Sequence, residues 1–276
     1  MAHPDLSALR TQARELRQDI LRMIAKAGSG HPGGSLSMVE LLVGLFWYKL
    51  RHDPKNPDWP DRDIFLLSKG HGAPALYTTL AYRGYFPREE LMTLRKYGTR
   101  LQGHPERGSL PGIEMSSGSL GQGLSIANGI ALADRLDKRN RRVFCLMGDG
   151  EIQEGQVWEA AMTSAHHGLD HVCAIIDANQ LQQNGPVKEI KKVEPLPEKW
   201  RAFGFHVIEI DGHDIGQVVK AYDEAEMITG KPQAIVARTV KGKGVSFMEL
   251  NHNWHGVAPK PDELEKALKE LQGSAV

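Results

Sequence analysis

The stretch GDGEIQEGQVWEAAMTSAHHGLDHVCAIIDANQL, residues 148–181, decides the fold. Ahead of it runs the apolar segment Val143, Phe144, Cys145, Leu146, Met147, which stops at Gly148, Asp149 and Gly150. Such a run, bounded by a turn signal, reads as a buried strand delivering an acidic turn. Val157, Ala160, Ala161, Ser164 and Ala165 then recur at helical spacing. A second apolar run, 172–176, ends on Asp177, Ala178 and Asn179. Asp149 and Asn179, 30 positions apart, are thereby expected at the same end of two parallel strands joined by one crossover helix. That edge of an open α/β sheet is where ligands bind. Two hard oxygen ligands beside glycine-flanked backbone suit a Mg²⁺ ion holding a diphosphate.

Working outward, strands and helices alternate. Leu9, Ala13, Leu16, Ile20 and Ile24 make one stripe of a helix over 6–26, which ends at the breaker-rich loop Gly28, Ser29, Gly30, His31, Pro32, Gly33, Gly34. An apolar helix is expected over 37–50, a strand over 64–67, and a helix over 73–83 behind Ser68-Lys69-Gly70-His71-Gly72. A glycine- and proline-rich loop, 101–118, leads to a long helix expected over 119–136. Beyond the central unit come a loop (182–197), a strand (206–210), a helix (215–228), a strand (234–239), the Lys241-Gly242-Lys243-Gly244 turn and a charged, peripheral helix over 262–271. The alternation predicts an α/β fold: a doubly wound, mostly parallel sheet with helices on both faces. No repeat or composition break divides the chain, so one domain over 1–276 is expected.

Lys+Arg and Asp+Glu both number 34, and the formal net charge of zero argues against a polyanion-binding surface and a nucleic-acid partner. The apolar runs are too short to span a bilayer, and the N-terminal stretch has no apolar signal core, so no membrane partner is expected. The two cysteines, Cys145 and Cys173, fall in expected buried strands and read as small core hydrophobes in a reducing, cytoplasmic setting.

There are 12 histidines, and four lie in glycine- or proline-rich loops: His31 in SGHPGG, His71 in SKGHG, His104 in QGHPE and His255 in NWHGVAP. Loops at strand ends collect chemistry, and imidazoles there can bind phosphate oxygens or move protons at sugar hydroxyls. His166, His167 and His171 have no such setting and read as structural. No histidine pair has a convincing zinc-ligand spacing.

With these motifs in hand, the chain resembles the N-terminal, diphosphate-binding domain of the transketolase family. The resemblance rests on SGHPGGSLS, NPDWPDRDIFLLSKGHG, LQGHPERGSLPGIEMSSGSLGQGLSIANGIALA, GDGEIQEGQVWEA, AIIDANQLQQNG, DGHD, ARTVKGKGV and WHGVAP, in the family's order over most of 10–260. GSLGQG lacks the spacing and the following acid of a dinucleotide fingerprint, so an NAD reading drops out.

The resemblance implies thiamine diphosphate and Mg²⁺ (or Ca²⁺ or Mn²⁺) as cofactors. Asp149, Asn179 and the Leu181 carbonyl match its metal ligands, and Gly148, Gly150 and Glu151 belong to the same diphosphate-side motif. Gly118, Ser119 and Leu120 match the segment against the thiazolium and aminopyrimidine. His71 and His255 match histidines on the diphosphate side that face the substrate, while His31 and His104 match those that bond the sugar donor's hydroxyls; His31 with His255 would relay its proton. Glu154 matches an acid coupling active sites between subunits, and reads equally well as a solvated acid in the first turn of a helix.

The implied reaction moves a two-carbon ketol unit from a ketose phosphate to an aldose phosphate, in carbohydrate metabolism such as the pentose phosphate pathway. The family's pyrimidine-binding and C-terminal domains find no counterpart before Val276. A split enzyme is therefore expected, with a C-terminal partner subunit, two copies of each chain, and this chain as a complete small subunit. The alternatives are another thiamine diphosphate enzyme (deoxyxylulose-phosphate synthase-like, or a catabolic pentulose-phosphate transketolase) and a non-catalytic cofactor-binding module.

Overall fold

The computed structural model describes residues 4–273. Its centre is a five-stranded sheet built from β1 (Ile64–Leu67), β2 (Val143–Gly148), β3 (Val172–Ala178), β6 (His206–Asp211) and β7 (Gln233–Arg238). The strands lie in the order β1-β2-β3-β7-β6, and every pairing is parallel. A further two-stranded piece pairs β4 (Leu181–Gln182) with β5 (Gly185–Pro186).

The alternation of side chains along each strand sorts the core into two layers. Phe65, Leu67, Phe144, Leu146, Cys173, Ile175, Ile235 and Ala237 face one layer, with the helices α1 (Leu6–Ala27), α3 (Val39–Gly44), α4 (Ala73–Tyr82) and α9 (Ile215–Met227). Ile64, Leu66, Cys145, Met147, Ala174, Ile176 and Val236 face the other, with α5 (Gly123–Leu136), α6 (Gly155–His166) and α8 (Leu196–Ala202). Cys145 and Cys173 are therefore buried on opposite faces of the sheet, both free, and behave as core residues. The β1–β2 connection contributes α4 to one face and α5 to the other, and the β2–β3 crossover carries α6 on the face of α5. The return from β6 to β7 runs the opposite way along the sheet and carries α9 on the face of α4, as right-handed crossovers require. No helix among the described residues is long and apolar enough to cross a membrane.

The central unit folds as the sequence predicts, with Gly148 paired to Asp177 at the carboxyl edge. Four expectations need correction. The single helix over 37–50 is broken into α2 (Pro32–Leu36), α3 and a π-helical turn, Leu45–Lys49. The Ser37 hydroxyl turns inward to Asp177, and Gly44, just before the π-helical turn, lies so close to Val218 that a Cβ would meet it at 2.6 Å. The helix expected over 119–136 starts at Gly123, because Gly121 takes φ +83° and gives its N–H to Glu151. The loop 182–197 contains β5, α7 (Val187–Ile190) and the start of α8. Finally α10 (Pro261–Gly273) is less peripheral than its charge suggests, since Ala267 and Leu271 are completely buried in the layer holding α1.

Candidate active site

The carboxyl ends of β2 and β3 deliver Asp149 and Asn179 side by side into a cavity of about 390 Å³. Asp149 is buried, and both oxygens are fixed by backbone: Oδ1 accepts from Gly150 N (2.8 Å) and Oδ2 from Gln180 N (2.6 Å). Asn179 donates through Nδ2 to Asp177 Oδ2 (3.0 Å), which turns its amide oxygen the other way, toward Leu181 N (3.2 Å). The Leu181 carbonyl accepts from Lys241 Nζ (3.2 Å). Three hard oxygen donors, one of them ionisable, thus meet a buried ammonium on the same wall, a donor set that fits a divalent cation and an anionic group. Burial, with Asp177 nearby, pushes the Asp149 carboxyl up to about 7, and burial together with Lys69 brings Lys241 down to about 8.

Beneath these groups lies a fully buried ion pair. Lys69 donates to Asp177, which also accepts from Thr239 Oγ1 and from Ser37 Oγ (2.7 Å). Burial alone would raise the Asp177 carboxyl; the Lys69 charge and these hydrogen bonds outweigh it and hold the group below its ordinary range.

The four loop histidines converge on the same cavity. Ring centroids lie 5.5 Å apart for His31 and His71, 5.9 Å for His31 and His104, 5.3 Å for His31 and His255, and 5.1 Å for His71 and His255. Burial lowers all four, assisted by Arg95 at His31 and His104, by Lys69 at His71 and by Lys241 at His255, so that His31 titrates near 4 and His255 near 3. Neutral rings at pH 7 can both donate and accept. Lys241 Nζ lies 2.7 Å from His255 Nδ1; an ammonium only donates, so His255 carries its proton on Nε2. His31 Nδ1 is buried without a protein partner, a polar atom placed to meet a ligand.

The remaining predicted residues divide. Gly118 packs on the His104 ring, and Gly118, Leu120, Gly148 and Gly150 line the cavity. Gly70 in the KGHG turn approaches Gly118 so closely that a Cβ would sit 2.9 Å from its nitrogen. Ser119 is exposed and outside the cavity wall. Glu151 borders the cavity, yet its carboxylate is spent on Ser68 Oγ (2.5 Å), Gly121 N (2.9 Å) and Gly148 N (2.9 Å), which makes it a strut. Glu154 is exposed on the rim and precedes α6, so the reading that placed it in a helix's first turn is off by one position, and its side chain caps nothing. His166 and His167 form a separate exposed pair, and His171 binds the Arg141 carbonyl.

A family model described as "Transketolase, thiamine diphosphate binding domain" matches residues 9–274. The chain belongs to the transketolase family. It is 46% identical over 264 residues to the 6-deoxy-6-sulfo-D-fructose transketolase subunit SqwG of Clostridium sp. (strain MSTE9), covering 96% of each chain. It is 42% identical to one of the subunits of the apulose-4-phosphate transketolase of Actinobacillus succinogenes, again over 96% of each. Among solved structures, the transketolase of Campylobacter jejuni superposes with a TM-score of 0.91 at 34% identity, covering 98% of this chain and 43% of that one. The transketolase of Leishmania mexicana gives a TM-score of 0.91 at 30% identity, over 96% and 41%. This transketolase chain thus matches the two subunit relatives over 96% of their length and spans about two-fifths of the solved enzymes.

Sequence reasoning missed Lys69, Lys241 and Asp177. Lys69 stood in SKGHG, which was read for His71, Lys241 in a stretch read only as a turn, and Asp177 in a strand end whose neighbour Asn179 took the attention. A charged residue embedded in an apolar run or a tight turn was the available signal.

Proposed function

We propose that this chain is the cofactor-holding subunit of a two-chain, thiamine diphosphate- and Mg²⁺-dependent transketolase that moves a two-carbon ketol unit between sugars. The observation that carries the reading is the convergence of four neutral imidazoles with Asp149 and Asn179 on one cavity. A binding-only module needs the metal side alone; the sugar-facing rings belong to a reaction. Asp149, Asn179 and the Leu181 carbonyl would hold Mg²⁺ and through it the diphosphate. The Lys241 ammonium adds positive charge on the same wall. Bound thiamine diphosphate supplies a carbanion nucleophile and an electron sink.

The chain's own share is orientation and proton handling. His255, protonated at Nε2, can donate from the cavity wall, and His31, whose Nδ1 has no protein partner, is left able to donate or accept there. His104 and His71 stand beside His31 on the cavity wall and would meet neighbouring hydroxyls. Gly118 and Leu120 would lie against the cofactor's rings. Relatives named for 6-deoxy-6-sulfo-D-fructose and for apulose-4-phosphate support a ketose donor with an anionic terminus, sulfonate or phosphate. The names of those relatives as subunits support a partner chain, which would supply the C-terminal domains that the family resemblance implies.

The test is to purify the chain alone and with its companion, and to follow two-carbon transfer from ketose phosphates and from a 6-sulfo ketose. Transfer is expected only from the pair. Full activity in the isolated chain would overturn the two-chain reading, and tight cofactor binding by the pair with no transfer from any donor would overturn the ketol reading.

A further inference from the structure

We propose that Arg95 is the positioning residue that holds His31 and His104 against each other, by tying the loop that carries one to the loop that carries the other. Three observations independent of the histidines themselves point to it. Arg95 Nη1 donates to Ser29 Oγ (3.1 Å), two positions before His31, and Nη2 reaches the Gly103 carbonyl (3.5 Å), one position before His104. The backbone of Arg95 sits at φ +58°, in the left-handed region that a long side chain rarely adopts, and is held there by its N–H to the Leu101 carbonyl (3.0 Å). Strain of this kind persists where the surroundings over-determine it, and it clusters at functional sites. The third is Gly103: a Cβ there would meet Arg95 Cζ at 2.7 Å, so the absence of a side chain is what lets the guanidinium lie flat along the QGHPE loop.

No carboxylate pairs with Arg95 in the structure's ion pairs among the described residues. Its charge is therefore uncancelled toward the two rings, and after burial it is the largest influence keeping each of them neutral. The other groups facing His31 are His71, His104, Lys241 and His255, none of them acidic. Arg95 does not line the cavity, so it acts through the histidines and not on a ligand.

The role of the two rings rests on the ketol-transfer reading; their placement by Arg95 does not, and the experiment separates the two. Arg95→Gln and Arg95→Lys are compared with the unaltered chain by NMR titration of the His31 and His104 imidazoles and, in the reconstituted pair, by kcat and KM. In Arg95→Gln both imidazoles should titrate at higher pH, and kcat/KM should fall roughly 10- to 100-fold, as a misplacement of about an ångström does. Arg95→Lys keeps the charge but cannot span both loops, so its titrations should move less while kcat/KM still falls. Unchanged titrations and unchanged kcat/KM in Arg95→Gln would overturn the proposal, as would a loss of melting temperature alone. If Arg95→Gln does not fold, Arg95→Lys decides by its kcat/KM. Absence of ketol transfer in the unaltered pair would remove the ketol reading and leave the titrations to decide the placement.

Discussion

The two walls of the cavity are built in opposite ways. On the metal-facing wall Asp149, Asn179 and the Leu181 carbonyl stand at strand ends, and each of their oxygens already has a protein partner. On the histidine wall four rings arrive from four separate loops, sit 5.1–5.9 Å from one another where they adjoin, and leave His31 Nδ1 with none. One wall is preorganised by the sheet; the other is held by long-range ties between loops. A fixed ion seat needs the first kind of construction, and a surface that must exchange hydrogen bonds with several hydroxyls needs the second.

The contrast between the walls is most exposed to challenge from below. Asp177→Asn would leave the buried Lys69 without its countercharge and should cost about 3–5 kcal/mol of stability, measured by denaturant unfolding. A small loss would show that the floor is not what fixes the first wall. Next, Asp149→Asn in the folded chain should weaken Mg²⁺-dependent binding of thiamine diphosphate by more than the roughly 10- to 100-fold typical of a supporting residue, read by calorimetry. His31→Asn should lower kcat/KM of the reconstituted pair by about 100-fold with cofactor affinity kept, which is the low end of what a proton-transfer group contributes. If it cost cofactor affinity instead, the division between the walls would be wrong.

Acidity separates the walls further, because they respond with opposite signs. His31 and His255 titrate near 4 and 3 in the folded chain against an ordinary 6.5, so the unfolded chain binds more protons in between. Their contribution to stability is present above 6.5 and is lost as pH falls toward 4. Asp149, raised to about 7 from 3.8, binds its proton first in the folded metal-free chain, so its contribution is present at low pH and lost as pH rises through 7. Unfolding free energy measured across pH 4–7 should steepen with pH in Asp149→Asn and flatten in His31→Asn. The smallest effect belongs to Glu154→Gln: as an exposed rim residue it should change the stability of the isolated chain by no more than about 0.5 kcal/mol. A larger change confined to the assembled pair would favour its coupling role between subunits.

How legible each wall was follows from the same construction. The strand ends were readable because an apolar run broken by Gly148-Asp149-Gly150 fixes both period and boundary. The histidines were found by their loop settings, yet nothing in the sequence spacing brings His104 and His255 beside His31; only the resemblance grouped them. Ser37 could not be read as turning inward to Asp177, since its partner lies 140 positions away. The same holds for the broken helix over 37–50: local propensity favours continuity, and the contacts made there, Ser37 to Asp177 and Gly44 to Val218, come from residues far along the chain. Ser119 and Glu151 show the converse limit, where membership of a motif says nothing of which way a side chain is used.

Arg17 lies fully buried in α1 and grips Glu40 with both terminal nitrogens, at 2.5 and 2.7 Å, while its Nε donates to the Lys243 carbonyl. Glu40 in turn meets His213 Nδ1, whose Nε2 accepts from Val240 N. The Lys241 turn is therefore moored at both shoulders to the first helix of the chain, across a line of groups that never touches the cavity. The position of the Lys241 turn therefore depends on contacts made by that helix. Shortening the chain past Arg17 would remove the side chain that holds both Glu40 and the Lys243 carbonyl, and so slacken the Lys241 turn from the other end of the sequence.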